Sequence, residues 1–220
     1  VTGLQLIETH ISWVILTGEY VYKVKKAVDF GFLDYSTLEK RAFFCREELR
    51  LNQRFAPHIY LDVIEISGSS TRPVLRGDGE PVEYAVRMKQ FSQAGLLSAL
   101  AAQHKLGRAH MDELAALVPG MHERVAVADV TSGYGLPDDI QYWVMENFEH
   151  IRPSLEQPQQ RQQLAEVEQW CRQSHEKMQA LLTGRRQEGF VRECHGDLHL
   201  GNLAVIDECI TAIDGIEFNE

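Results

Sequence analysis

The chain carries the stretch His195-Gly196-Asp197-Leu198-His199-Leu200-Gly201-Asn202-Leu203, followed by Ile213-Asp214-Gly215-Ile216-Glu217-Phe218. An aspartate, an asparagine and a second aspartate in this order supply what phosphoryl transfer from a metal-bound nucleotide requires. One carboxylate faces the acceptor hydroxyl, and two oxygen ligands hold Mg²⁺. We therefore predict that Asp197 faces the hydroxyl and that Asn202 and Asp214 hold the metal.

Two other interpretations of these stretches stay open on the residues alone. His195, Asp197 and His199 form an H-x-D-x-H pattern, which could bind Zn²⁺ or Fe²⁺ through imidazole and carboxylate. That interpretation leaves Asn202 and Asp214 without a role. Alternatively, Asp197 and Asn202 could be ordinary turn residues that close a loop between two strands.

Both stretches resemble the aminoglycoside phosphotransferase family, which shares the protein-kinase-like fold. The family's HGDxxxxN pattern is matched at His195, Gly196, Asp197 and Asn202, and its metal-binding aspartate motif is matched at residues 213–218. By this resemblance His195 belongs to the catalytic set, more as a scaffold that fixes the loop through hydrogen bonds than as a proton carrier. The resemblance extends over nearly the whole chain.

The resemblance implies an α+β, bilobal protein-kinase-like fold. Its N-lobe, residues 1–88, would be a five-stranded antiparallel sheet plus one helix. Its C-lobe, residues 89–220, would be mainly helical and would carry the catalytic loop 195–203 and the metal motif 213–218. Because a kinase-like C-lobe normally continues with several helices after the metal aspartate, we expect this one to be truncated. Strands are predicted at residues 4–8, 13–16, 20–25, 59–67 and 81–88.

A lysine and a glutamate of the N-lobe are expected to position the nucleotide phosphates. By resemblance the lysine is Lys23, although the lysines at 23, 25 and 26 could all be solvated edge charges. A capping box at Ser36–Glu39 predicts a helix over 36–55. Its apolar stripes turn Glu48 inward, and a buried carboxylate needs a cation such as Lys23. A solvated helix glutamate is the alternative for Glu48.

Further contacts with the nucleotide are expected from the first hairpin and from the hinge. The turn before the second strand lacks G-x-G-x-x-G, but backbone N–H groups and Ser12 or Thr9 could contact phosphate, and an ordinary hairpin turn is equally open. The resemblance places the adenine-binding hinge at residues 87–91. We therefore predict nucleotide contacts from Met88, Gln90 and Phe91, with a core role for Met88 or Phe91 as the alternative.

Composition excludes several other classes of protein. The formal charge of −10 argues against nucleic-acid binding, because phosphate backbones are held by clustered Lys and Arg. No apolar run is long enough to span a membrane, and the sequence shows no signal peptide, so we expect no membrane partner and a cytoplasmic location. The four cysteines show no C-x-x-C spacing and are predicted to be buried, reduced thiols.

The expected function is that of an ATP-dependent phosphotransferase, with ATP and Mg²⁺ as cofactors and a hydroxyl-bearing small molecule as acceptor. The alternatives are a kinase-like module that binds nucleotide with little or no activity and serves a partner domain, and a non-kinase metal protein. Segments 9–13, 29–34 and 213–218 look like a bacterial branch known only as aminoglycoside phosphotransferase-like. Its members often carry a P-loop kinase-like domain downstream, and because this chain lacks G-x-x-x-x-G-K-[ST], such a domain is expected outside it.

Overall fold

The computed structural model describes residues 3–69 and 71–218. The chain divides into two compact units, one formed by Val1–Arg124 with Cys194–Glu220 and the other by Val125–Glu193. The fold is α+β with antiparallel strands, as predicted. All residues predicted to form the site belong to the first unit. The predicted division into lobes at residue 88 stays a prediction.

A six-stranded antiparallel sheet dominates the first unit, with strand order β1-β2-β3-β6-β4-β5. Five of its strands lie where the sequence predicts them. The sixth strand, β5, was not predicted. All four of its residues are exposed, and it lacks the alternation of apolar and polar residues that marks a half-buried strand. The strands are β1 Gln5–Glu8, β2 Ser12–Leu16, β3 Tyr20–Lys25, β4 Tyr60–Ser69, β5 Arg72–Leu75 and β6 Glu83–Lys89.

Strand β3 turns two lysines towards the inner face of the sheet. Its buried positions alternate strictly, so Val21, Lys23 and Lys25 share the covered face. Lys25 pairs in register with Ser12 of β2, and Lys23 pairs with Val14. The alternative that these lysines are solvated edge charges is therefore wrong for Lys23 and Lys25.

Helix α1, Leu38–Gln53, packs against β4 and β6. It begins two residues after the predicted start at 36, because Thr37 caps the helix in place of Ser36 and its side chain accepts the hydrogen bond from the Lys40 amide. The Ser36 hydroxyl instead donates to Asp34 at 2.6 Å. Glu48 is fully buried on the inner side of the helix, as its position between the apolar stripes predicts.

A C-terminal hairpin joins two apolar clusters of the first unit. Strands β7, Leu203–Ile206, and β8, Cys209–Ala212, are connected by Asp207 and Glu208, both with positive φ. Successive side chains of a strand point to opposite faces. Ala204 and Ile206 accordingly pack in the cluster that contains residues of α1 and β4, while Leu203 packs in the cluster beneath the helices α2, Leu97–Ala102, and α3, Arg108–Arg124.

The second unit is helical. It contains α4, Pro137–Ile151, and α5, Pro158–Gln187, which pack against each other. Each helix begins with proline, whose fixed φ suits the first helical position and whose missing N–H costs nothing there. Within residues 3–69 and 71–218, no helix combines the length and the apolar character needed to cross a membrane.

Candidate active site

Asn202 joins the two stretches that led the sequence analysis. Its side-chain nitrogen donates to the Asp197 carbonyl oxygen at 2.9 Å and to Asp197 Oδ2 at 3.1 Å, and lies 3.5 Å from the Asp214 carbonyl oxygen. The backbone carbonyl oxygen of Asn202 accepts from the Ile213 amide at 2.9 Å. The three residues predicted to face the acceptor and the metal therefore lie together.

His195 and Gly196 bring the predicted catalytic loop, residues 195–203, against the predicted metal motif, residues 213–218. The His195 ring is buried, and its Nε2 lies 2.9 Å from the Ile213 carbonyl oxygen. The His195 carbonyl oxygen accepts from the Ile216 amide at 2.9 Å. Gly196 has φ +84°, and a Cβ there would lie 3.1 Å from the Ile216 side chain, so a side chain at this position would be strained by the backbone and crowded by Ile216. These contacts are those of a scaffold.

Lys23 links the sheet, helix α1 and the metal motif. Its Nζ lies 2.9 Å from Glu48 Oε1 and 2.5 Å from Asp214 Oδ1. Burial opposes the charge on Lys23, but the carboxylates of Asp214 and Glu48 outweigh it and raise the pKa of this lysine well above its usual value. Lys23 therefore carries its positive charge throughout the physiological range.

Lys25 is a second buried cation, and its role was not predicted. Its Nζ lies 2.7 Å from Glu48 Oε2, so Glu48 bridges two lysines. Burial favours the neutral form of Glu48, but Lys23 and Lys25 overcome it and lower the pKa of Glu48. Lys25 also contacts Glu217 and lies 3.4 Å from the Tyr35 hydroxyl. The strict alternation of β3 was the one signal that could have found Lys25.

The backbone at Asp214 is held in an unusual conformation. Its φ is +60°, in the left-handed region, which aspartate tolerates better than most residues. The Asp214 amide donates to the Tyr60 hydroxyl at 2.9 Å, and the next amide, that of Gly215, donates to Asn52 Oδ1 at 2.8 Å. Tyr60 and Asn52 are both buried. Neither was predicted, because a polar side chain that binds distant backbone leaves no local pattern.

A cavity of about 330 Å³ adjoins these groups. Its wall is mostly apolar and contains Met88 and Phe91. Both also pack against the apolar cluster that contains residues of α1 and β4, so the core role stays open for them. Two predicted nucleotide contacts do not line the cavity. Ser12 is wholly buried in the sheet, and Gln90 accepts instead from the Gly18 amide at 2.9 Å. The remaining lining residues are Ile7, Thr9, Ile11, Val14, Leu16, Val21, Lys23, Ile59, Tyr60, Lys89, Gln93, Leu96, Gly201, Asn202, Ile213 and Asp214.

The donors at this site suit a hard cation. Asn202 and Asp214 offer an amide oxygen and a carboxylate, which are ligands that Mg²⁺ prefers. The Asp214 side chain is 48% exposed, so a metal can reach it. The alternative metal site would need His195, whose ring is buried, whereas the side chains of Asp197 and His199 are more than half exposed. In the described part of the chain, no three His, Cys, Asp or Glu side chains are grouped to hold a metal.

Burial of His195 makes stability depend on pH. Burial and nearby Arg54 lower the pKa of His195 below its usual 6.5, against opposing contributions from Ile213, Asp214 and Asp197. The unfolded chain therefore takes up this proton first as the pH falls. We expect the free energy of unfolding to decrease below pH 6.5, by at most about 1.4 kcal/mol per pH unit.

Urea unfolding between pH 5 and pH 8 measures this effect. A His195→Gln protein, whose amide does not titrate, should show a shallower decrease below pH 6.5 than the wild type. His58→Gln, at an exposed position, is the control and should keep the wild-type slope. Equal slopes for His195→Gln and the wild type would contradict the assignment.

The chain is similar to uncharacterized proteins of Mycobacterium bovis and Mycobacterium tuberculosis, with 25% identity over 213 residues. The aligned region is 97% of this chain but 41% of each relative, so the chain spans about two fifths of the length of the curated relatives it matches. No family model matches the chain, and no solved structure does. The comparisons therefore provide relatives and no activity.

Proposed function

We propose that this chain carries the nucleotide and metal site of an ATP-dependent phosphotransferase with a bilobal protein-kinase-like fold, of the aminoglycoside phosphotransferase type. The proposed reaction transfers the γ-phosphate of ATP to a hydroxyl of a small molecule. The location proposed for it is cytoplasmic.

The observation that carries this proposal is the convergence of four side chains predicted for one site. Lys23 and Asp214 are 191 positions apart in the sequence, yet their charged groups are in contact. Glu48 contacts the same lysine, and Asn202 contacts the Asp214 backbone. If Asp197 and Asn202 were ordinary turn residues, the stretch would not require a buried lysine and a buried glutamate from other elements.

In the proposed step the acceptor oxygen bonds to the γ-phosphorus. The bond from that phosphorus to the oxygen shared with the β-phosphate breaks, and ADP leaves with the bonding electrons. Asp197 orients the acceptor hydroxyl and takes its proton. The Asp197 side chain is 53% exposed, so a hydroxyl can reach it, and Asn202 fixes its orientation.

The other residues position ATP. Lys23 would contact the α- and β-phosphates, and Glu48 holds that lysine in place. Asn202 and Asp214 would hold Mg²⁺, which neutralises charge on the phosphates when bound. The apolar cavity wall, including Met88, offers the contacts that a purine ring requires.

The whole polypeptide is proposed to be larger than this chain. The curated relatives extend beyond the matched region, which leaves room for the P-loop kinase-like domain that the resemblance implies. A protein that binds ATP with Mg²⁺ but consumes none with any acceptor would favour the silent nucleotide-binding module instead.

Replacing Asp214 tests the metal site. Asn keeps the size of Asp214 and tolerates its positive φ, but it removes the charge that attracts the metal. Adding Mg²⁺ should increase the affinity of the wild type for ATP. We expect this increase to be at least about tenfold smaller in Asp214→Asn. Its ATP affinity without metal should be equal or higher, because a carboxylate repels phosphate. Calorimetric titration of ATP with Mg²⁺ and with EDTA measures both values.

Asp207→Asn is the matched control. Asp207 is also an aspartate with positive φ, but it lies in the exposed turn between β7 and β8. This variant should bind ATP like the wild type under both conditions. A wild-type protein with no affinity for ATP in Mg²⁺ would overturn the proposed function, as would an Asp214→Asn protein with an undiminished response to Mg²⁺.

A further inference from the structure

A second ion-pair network lies behind the proposed phosphate lysine. The Glu217 carboxylate is only 5% exposed and is bound by the ammonium of Lys25. The Tyr35 hydroxyl donates to the same Glu217 oxygen, Oε1, at 2.5 Å. Lys25 lies against the Tyr35 ring as well, 4.7 Å from its centroid. We call Lys25, Tyr35 and Glu217 the rear anchor.

Nucleotide binding alone does not explain the rear anchor. Lys25 is fully buried and binds the far oxygen of Glu48, Oε2, whereas Lys23 binds Oε1. Burying another lysine and another glutamate is unfavourable unless both are paired. We therefore expect the rear anchor to have a role beyond that of the Lys23–Glu48 pair.

The rear anchor acts on the segment that follows Asp214. Three successive amides of this segment have fixed acceptors. Those of Asp214 and Gly215 bind Tyr60 and Asn52, and that of Ile216 binds the His195 carbonyl oxygen. The Glu217 side chain comes next in the chain and ties the segment to β3 through Lys25. Each end of the segment is thus attached to a buried side chain.

We infer that Glu217 is a positioning residue, which Lys25 and Tyr35 hold so that the backbone at Asp214 keeps its left-handed conformation and presents its carboxylate to the metal. The metal part of this inference rests on the proposed function. The anchoring part can be measured without any nucleotide. Loss of the anchor should loosen the segment and weaken the response to Mg²⁺, while the apolar contacts of the cavity stay intact.

The test compares Glu217→Ala, Glu217→Gln and Tyr35→Phe with the wild type in two measurements. The first is hydrogen exchange at the amides of Asp214, Gly215 and Ile216. Glu217→Ala should accelerate it at least about tenfold, the factor expected for losing a charge-assisted hydrogen bond. Glu217→Gln keeps an oxygen for Tyr35, and Tyr35→Phe keeps the ion pair, so both should have smaller effects in the same direction.

The second measurement is a ratio: the dissociation constant for ATP in EDTA divided by the constant in Mg²⁺. Glu217→Ala should lower this ratio about tenfold and leave the constant in EDTA unchanged. A residue needed only for stability would lower the melting temperature without changing the ratio. Glu80→Ala, at an exposed loop position, should change neither exchange nor the ratio.

The outcomes separate this inference from the proposed function. Unchanged exchange in Glu217→Ala overturns the inference. Faster exchange with an unchanged ratio also overturns it, because the anchor would then be purely structural. Faster exchange in a protein whose wild type binds no ATP supports the anchor and overturns the phosphotransferase. Faster exchange with a lower ratio supports both.

Discussion

An Asp197→Asn protein is expected to bind ATP and Mg²⁺ as the wild type does and to transfer phosphate roughly 100- to 10,000-fold more slowly. The range is the usual contribution of a general base. Asn keeps an oxygen that can accept from Asn202, so the loop should stay in place. It cannot take the proton of the acceptor hydroxyl, so the loss should appear in kcat with little change in the KM for ATP.

The measurement is ADP release in the presence of an acceptor found by screening small metabolites and aminoglycosides. Asp112→Asn serves as the control, because Asp112 is an exposed aspartate of α3 that faces Arg108. It should keep wild-type turnover. Wild-type kcat in Asp197→Asn would remove Asp197 from the mechanism and would favour a different residue as the base.

A Glu48→Ala protein is expected to lose about 3–5 kcal/mol of its free energy of unfolding. Glu48 is fully buried and neutralises Lys23 on one side and Lys25 on the other. Removing it leaves two buried ammonium groups with one fewer counter-charge between them. The loss is larger than for most single substitutions, because breaking a buried ion pair costs more than losing a solvated one.

Tryptophan fluorescence can follow the first unit alone. The chain has three tryptophans, and Trp143 and Trp170 of the second unit are exposed, so replacing both by Phe leaves Trp13 of β2 as the reporter. Urea unfolding at pH 7 in this background gives the free energy. Glu47→Ala, one position away and paired with Arg50 nearer the surface, should change it by less than about 0.5 kcal/mol. A loss below about 1 kcal/mol in Glu48→Ala would contradict the argument.

Residues whose roles follow from local pattern were predictable. Glu48 could be assigned because helical periodicity distinguishes an inner from an outer glutamate. Asn202 and Asp214 could be assigned because the chemistry of the metal limits which residue types serve, whereas Lys23 was chosen among three nearby lysines by resemblance alone. The structure brings these side chains together. Their catalytic roles remain predictions that the substitutions above test.

Residues that act through the folded chain were not predictable in the same way. Asn52 and Tyr60 bind backbone amides that are far away in sequence, and nothing near either residue signals it. Nothing in the sequence distinguishes Glu217 from an exposed charged residue, because its burial depends on the folded sheet. Ser12 was predicted to contact phosphate because it lies close to the turn. That position does not reveal that β2 buries its side chain. Tertiary packing decides all of these cases.

The first unit is built from segments that lie before and after the second unit in the sequence, and this affects the order in which its contacts can form. The ribosome must add residue 214 before Lys23 can meet Asp214, since 191 positions separate them. Contacts between such distant positions also form slowly. Until residue 214 has been added, the nascent chain therefore has Lys23 without its partner Asp214 and a cavity wall without Ile213.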